Sequence, residues 1–300
     1  MATMDFNMNM DFNMGVPTPG ASVGGEVTRV RFNTEDFRKY VTPTDVVIPA
    51  TASLMTFPAY WDAELRAYEY LNEFLTTRFP TWHTTLLGDV GTPGGPPDLT
   101  PPNKLTPSLL TNEVLDVLDR APDRQDRFGE ILSQNTGEGA IGYFLGMLMI
   151  DPGRMPATNL LIRVARRLGE HIVMCLKGEF RCPRPSQICP AIVPMIDPPA
   201  TPSFPSGHSL QAWLIARCLE ATGTPVQPIH LVRDLANRIG ENRIIAGLHY
   251  RHDHLIGQAV AEWIFNKLLS PMLVSTAPSP FKKLVAAATT EMANQWAPLP

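Results

Sequence analysis

The chain has 300 residues and a mass of 33.1 kDa, enough for one large domain or two modest ones and too many for a fold held by disulfides alone. Apolar residues make up 44% and charged residues 18%, and mean hydropathy is −0.05, which together exclude a chain disordered throughout. With 25 Lys and Arg against 29 Asp and Glu, the formal charge of −4 excludes the broad positive field that gathers nucleic acid or anionic lipid, so any anion site must be local.

The pentapeptide MDFNM occurs at Met4–Met8 and again at Met10–Met14, and a Gly-rich run follows to Gly25. Residues 1–25 are therefore expected to be a disordered tail. Residues 26–105 read as an N-terminal arm with one helix and a Pro-rich linker. The helix is expected over Tyr60–Phe79, where Trp61, Leu65, Tyr68, Leu71, Phe74 and Leu75 recur at three- and four-residue steps. The linker, Pro93–Pro107, lacks too many backbone donors for a helix or central strand. Residues 106–300 read as an all-α bundle. Helices are expected over Thr106–Ala121, Arg124–Ser133, Gly139–Ile150, Ala157–Leu176, His208–Ala221, Ile229–Ala246 and Arg251–Leu269, each from its apolar stripe.

No charged segment followed by an apolar one opens the sequence, and the longest apolar stretch, Ala140–Ile150, is too short to cross a bilayer. The expectation is a cytoplasmic protein without a membrane span. The four cysteines, Cys175, Cys182, Cys189 and Cys218, have no zinc spacing and read as buried free thiols, with Cys182–Cys189 as a loop bridge the spacing allows. The aromatic side chains of Trp61 and Trp82 are candidates to cover a site mouth or a neighbouring copy, and the sequence is compatible with a homo-oligomer.

Two helices carry charge on the wrong face. Arg243 lies four residues after Ile239 and eleven after Val232, on the apolar stripe, where a lone guanidinium costs several kcal/mol unless an anion neutralises it. Asp253 precedes Ile256 by three and Val260 by seven, also facing inward. His249 stands four residues before it, close enough on a helix for the carboxylate to fix the ring's tautomer. The plain structural alternative pairs Arg243 with Glu241, Asp253 or Glu262 and leaves His249 an ordinary satisfied histidine.

Two further segments bear on that choice. Lys177 and Arg184 flank a helix end and enter a loop stiffened by Pro183, Pro185 and Pro190, and a compact ammonium with a planar guanidinium suits several oxygens of one tetrahedral anion. Pro205-Ser206-Gly207-His208 opens an apolar helical pattern. Unpaired N–H groups, a hydroxyl and a glycine at a helix N-terminus make an anion cradle, although an ordinary N-cap turn looks the same in isolation.

Taken in order, Lys177 with six residues to Arg184-Pro185, then Pro205-Ser206-Gly207-His208, then Arg243 with five residues to His249 and three more to Asp253, resemble the three-part signature of the type 2 phosphatidic acid phosphatase and vanadium-dependent haloperoxidase superfamily. That superfamily includes the bacterial non-specific acid phosphatases. The resemblance covers Lys177–Asp253 and implies the family's helical bundle. It implies His249 as the nucleophile on phosphorus, Asp253 as the residue orienting its ring, and His208 as the acid for the leaving oxygen. Lys177, Arg184, Ser206, Gly207 and Arg243 would bind the phosphate oxygens. On this reading the protein is a phosphomonoesterase acting on a small-molecule phosphoester, with no nucleic-acid partner and no cofactor. The alternative within the same family is a haloperoxidase that uses peroxide and halide with vanadate held on His249, and a non-catalytic oxyanion-binding protein is a third reading. The sequence departs from the family at two places. Met174 stands where some haloperoxidases carry tryptophan near the halide, which favours the phosphatase, and Asn242 precedes Arg243 where serine is usual.

Overall fold

The structure is a computed structural model that describes residues 62–223, 229 and 231–295, so the MDFNM repeats, the run to Gly25, the arm as far as Tyr60, and Trp61 lie outside the described residues. Within them the regular elements are all helical. Helix α1 (Ala63–Asn72) widens into a π-turn segment, Glu73–Arg78; α2 is Trp82–Asp89, α3 Pro107–Asp119, α4 Arg124–Ser133, α5 Gly137–Met147 and α6 Pro156–Phe180. Then come α7 (Pro185–Ile188), α8 (Gly207–Glu220), α9 (Val232–Ile245) and α10 (Arg251–Trp263), which runs through π-turns at Ile264–Leu269 into α11 (Ser270–Val274), and finally α12 (Pro280–Gln295).

Helices start where the sequence supplies a cap. Thr106 accepts the Leu109 N–H ahead of Pro107 in α3, and Thr136 accepts the Gly139 N–H at 3.1 Å in α5. Helix α6 has no side-chain cap of its own. Glu291 of α12 substitutes for one, accepting the N–H groups of Ala157 (2.9 Å) and Thr158 (2.7 Å). A carboxylate at the positive end of a long helix is favourable by about 0.3–1 kcal/mol and ties the C-terminal helix to it. Helix α6 runs to Phe180, past the expected Leu176, and stops at Arg181 in the left-handed region (φ 47°), because Pro183 two residues on cannot continue it.

Helix α8 is central, packed by α6, α9 and α10, while α1 and α12 lie on α6. Leu161, Val164, Leu168 and Ile172 of α6, Leu210 and Leu214 of α8, and Ile256 and Val260 of α10 share one buried core. Full burial of each such side chain stabilises the fold by roughly 1.5–3 kcal/mol. At Gly257 of α10 a Cβ would fall 2.8 Å from the Ser206 carbonyl oxygen, so that glycine sets how closely α10 meets the start of α8.

The described part of the arm shares this core through Ala67, Phe74, Trp82, Leu86 and Leu99. Trp82 is buried edge-on to His171 of α6. Helices α2, α7, α11 and α12 have no counterpart among the expected elements; the first three are at most eight residues long, too short to show a period. All four cysteines are free. The allowed Cys182–Cys189 bridge is not formed, because Cys182 packs into the main core while Cys189 lies against the separate cluster of Val117, Ile192 and Ile244. Cys175 is exposed rather than buried. Among the described residues no helix is long and apolar enough to cross a membrane.

Candidate functional site

Three cations from three parts of the chain are buried, and each is held by backbone carbonyls instead of carboxylates. Lys177, in the last turn of α6, donates to the carbonyl oxygens of Pro202 and Ser203, the latter at 2.8 Å. Arg184, before α7, donates to the carbonyls of Pro199 (3.2 Å), Thr201 (2.9 Å) and Leu248 (2.8 Å) and to the Thr201 hydroxyl (3.1 Å). Arg243, in the last turn of α9, is 0% exposed and makes one bond, from Nη2 to the Ile131 carbonyl at 2.9 Å. Among the described residues its Nε and Nη1, both buried, have no acceptor. The pairing with Glu241, Asp253 or Glu262 considered from the sequence is not made. Carbonyls fix these side chains without cancelling their charge, and two idle guanidinium donors in a buried site carry the full cost of desolvation.

His249 stands on the turn between α9 and α10 and is 4% exposed. Its Nδ1 lies 3.0 Å from Asp253 Oδ2. The sequence expectation placed both on one helical face, but α10 begins only at Arg251. Asp253 instead turns back over the helix start, accepting the Tyr250 N–H at 3.1 Å together with the histidine, so the pairing comes from capping. Ser203, fully buried, donates its hydroxyl to the same Oδ2 and lies 3.3 Å from His249 Nδ1. A carboxylate can only accept here, so the ring carries its proton on Nδ1 and Nε2 keeps a lone pair. That lone pair faces Arg184 Nη1 at 3.4 Å.

Pro205-Ser206-Gly207-His208 forms the start of α8. Ser206 is the N-cap, and its Oγ accepts from the Ser209 hydroxyl at 2.9 Å and, more weakly, from the Ser209 N–H. Its N–H is spent on the Asp253 carbonyl at 3.0 Å, which stitches this loop to α10. Ser206 thus does the work of an ordinary cap, with its own hydroxyl proton left over. Among the described residues the first-turn N–H groups of Gly207 and His208 have no acceptor, as expected at a helix start. His208 is half-buried, and Nε2 lies 2.9 Å from the Gln134 carbonyl. A carbonyl only accepts, so Nε2 carries the proton and Nδ1 is bare.

The shifts of these groups share several causes. Burial, then the charges of Lys177, Arg184 and Arg243, hold His249 well below the usual histidine range. Burial, then Arg243, with His249 and Lys177 adding, lowers His208 against the opposing pull of the Gln134 carbonyl. Burial and Arg184 depress Lys177, and burial depresses Arg184 and Arg243, the last to about 10. Burial raises Asp253, with Ser203, Lys177 and the Tyr250 N–H opposing. Both imidazoles therefore feel Arg243 and Lys177. Beside Arg184 lies an open cleft of about 550 Å³ whose lining includes Arg181, Ser186, Gln187 and Thr201 and no acidic residue.

The Pro-rich segment contributes indirectly. His252 Nε2 donates to the Thr100 carbonyl (2.9 Å), Glu113 of α3 accepts the His252 N–H (2.9 Å), and the His252 ring stacks on Phe204. This anchors the start of α10 next to Asp253. Sequence reasoning singled out neither Ser203 nor Gln134. A serine among prolines reads as a turn, and a glutamine at a helix end reads as surface, so neither carries a local signal. Met174 lies on the outer side of α6, 46% exposed.

No family model matches the chain, and no curated protein matches it. Among solved structures, a transmembrane PAP2-type phosphatidylglycerolphosphate phosphatase from Bacillus subtilis is similar over 58% of this chain and 90% of its own, at 20% identity and a TM-score of 0.43.

Proposed function

We propose that the chain is a member of the type 2 phosphatidic acid phosphatase and vanadium-dependent haloperoxidase superfamily and hydrolyses phosphomonoesters through a phosphohistidine on His249. The observation that carries this reading is Arg243, a fully buried guanidinium whose Nε and Nη1 have no acceptor among the described residues, in electrostatic reach of two neutral histidines. A scaffold would gain nothing from that arrangement; a tetrahedral anion would complete it.

The phosphoryl oxygens take the idle donors of Arg243, the ammonium of Lys177, the guanidinium of Arg184, the Ser206 hydroxyl and the Gly207 N–H, so charge is in place before the transition state forms. Binding also draws Arg184 Nη1 away from His249. The Nε2 lone pair then attacks phosphorus, the P–O ester bond breaks, and the leaving oxygen takes a proton from His208. The bound phosphate supplies the negative charge that lifts His208 from its depressed state so that it can hold that proton. Asp253, held by Ser203 and the Tyr250 N–H, stabilises the charge developing on His249. In the second half, His208 takes a proton from water, the hydroxide attacks phosphorus, the P–N bond breaks and phosphate leaves.

The same cage and bare Nε2 fit vanadate as well as phosphate. The test is hydrolysis of p-nitrophenyl phosphate alongside halogenation of a phenolic dye by peroxide and halide, each with and without vanadate. Hydrolysis inhibited by vanadate is the expected result. Halogenation that requires vanadate would replace the phosphatase with the haloperoxidase, and silence in both assays would leave only oxyanion binding.

A further inference from the structure

The end of α4 is gripped twice by adjacent residues of α9. Arg243 donates to the Ile131 carbonyl (2.9 Å), and Asn242, fully buried, donates from Nδ2 to Gln134 Oε1 (2.8 Å) and to Glu130 Oε2 (3.1 Å). Gln134 is itself fully buried and serves as the C-cap residue of α4. Its main-chain carbonyl is one of the acceptors that a helix end leaves without an intrahelical partner, and it accepts the Nε2 proton of His208. Asn242 therefore reaches His208 in two steps, across residues more than 70 positions apart in sequence on each side.

We propose that Asn242 and Gln134 are positioning residues for the acid step: Asn242 clamps the Gln134 side chain so that the Gln134 carbonyl holds His208 in the Nε2–H tautomer, with Nδ1 presented to the leaving oxygen. This rests on the phosphatase reading for its catalytic meaning, though the tautomer itself does not. Serine is too short to span the gap from position 242 to Gln134, so the asparagine that departs from the family pattern has a defined task here. The arrangement also couples the two ends of the reaction, because the turn that delivers Arg243 to the oxyanion fixes the acid through its preceding residue. The charged groups acting on His208 are Arg243, Lys177 and, when protonated, His249; the Gln134 carbonyl is the contact that favours its protonated form. A carbonyl at the negative end of a helix is well placed for that.

The test compares wild type with Asn242→Leu, Gln134→Leu and the double variant by two readouts. The first is hydrolysis of an alkyl phosphate, whose alkoxide must be protonated to leave, against p-nitrophenyl phosphate, whose phenolate need not be. The second is the 15N spectrum of His208, which reports the tautomer without any turnover. Each single variant is expected to lower kcat/KM, which reports the leaving-group step and not the hydrolysis common to both esters, about tenfold or more for the alkyl ester relative to the aryl ester. The double variant should be no worse than either single, and the His208 spectrum should lose the pure Nε2–H signature. Equal losses on both esters, or an unchanged His208 tautomer in both single variants, would overturn the proposal. A wild-type protein inactive on both esters would defeat the phosphatase reading, and the spectra would then decide the positioning claim alone. If one leucine variant fails to fold, the other carries the comparison from the opposite end of the same hydrogen bond.

Discussion

Helix α6 contributes to two groups of cations at points about three turns apart along it, and the groups are treated in opposite ways. Near its middle, Arg163, Arg166 and Arg167 meet Glu64 of α1, Glu138 of α5 and Glu170: Arg167 Nε lies 2.6 Å from Glu64 Oε2, Arg163 Nη1 lies 2.6 Å from Glu138 Oε1, and Arg167 Nη1 lies 2.8 Å from Glu170 Oε2. Near its end, Lys177 joins Arg184 and Arg243, and among the described residues none of the three has a carboxylate in ion-pair range. The pKa directions separate the groups. In the first, burial alone would depress Arg163 and Arg167 and raise Glu64, yet the mutual bonds and charges outweigh it and all three shift toward the charged form. In the second, burial prevails and Lys177, Arg184 and Arg243 all shift away from it. The charges of the first group hold helices together by neutralising one another, whereas those of the second are left unneutralised, and the proposed anion site rests on that difference.

Replacing His249 with alanine removes the proposed nucleophile beside the second group. Turnover should fall on the order of 10⁴-fold or more, the scale on which loss of a nucleophile acts, with the thermal midpoint close to wild type; a variant with near-normal rate would remove His249 from that role. Glu64→Ala strikes the first group. It leaves three arginines short of their shared partner and should destabilise the fold by about 3–5 kcal/mol, measured by denaturant unfolding, with little effect on kcat once folded. Arg243→Met inverts that pattern. It removes an unpaired buried charge, so stability should hold or rise, while kcat falls roughly 10²–10³-fold. Loss of stability without loss of rate would mark Arg243 as structural.

Ligand and pH give smaller effects. Inorganic phosphate should raise the melting temperature of the wild type, with about 2.7 kcal/mol gained at a concentration one hundred times its Kd, and do so far less in Arg243→Met. Lys177 is depressed in the folded protein, so between neutrality and the ordinary lysine value of 10.5 the unfolded chain binds more protons at this position. Its contribution to the stability of the empty protein therefore rises with pH across that window. Saturating phosphate restores the ammonium and should flatten the slope, read as Tm against pH with and without the anion. Over the same range kcat/KM should fall as the ammonium is lost.

Part of the candidate site was legible from local patterns, and a further part was proposed from the resemblance of its spacing to the family signature. The 3.6-residue period exposed Arg243 as a cation on an apolar stripe, and the spacing of His249 and Asp253 marked them as a pair before any contact was visible. What failed was the local reason for that pair, because a residue at the third position of a helix can reach back over its start as easily as along a face. Ser203, Gln134 and the task of Asn242 were hidden for a different cause. Their bonds join segments that meet only after α4, α8, α9 and α10 pack, and nothing near them in sequence marks the partner. The helical class was plain from the stripes, while α12 was missed although it is 16 residues long, since its alanine- and threonine-rich sequence offers little contrast between faces.

A crystal grown with tungstate or vanadate would examine the cage most directly. The expected result is one metal oxyanion with its oxygens on Lys177, Arg184 and the Nε and Nη1 of Arg243, flanked by His249 Nε2 on one side and His208 on the other. An anion bound elsewhere, or a cage left empty at saturating concentration with Arg243 still turned to Ile131 alone, would contradict the account.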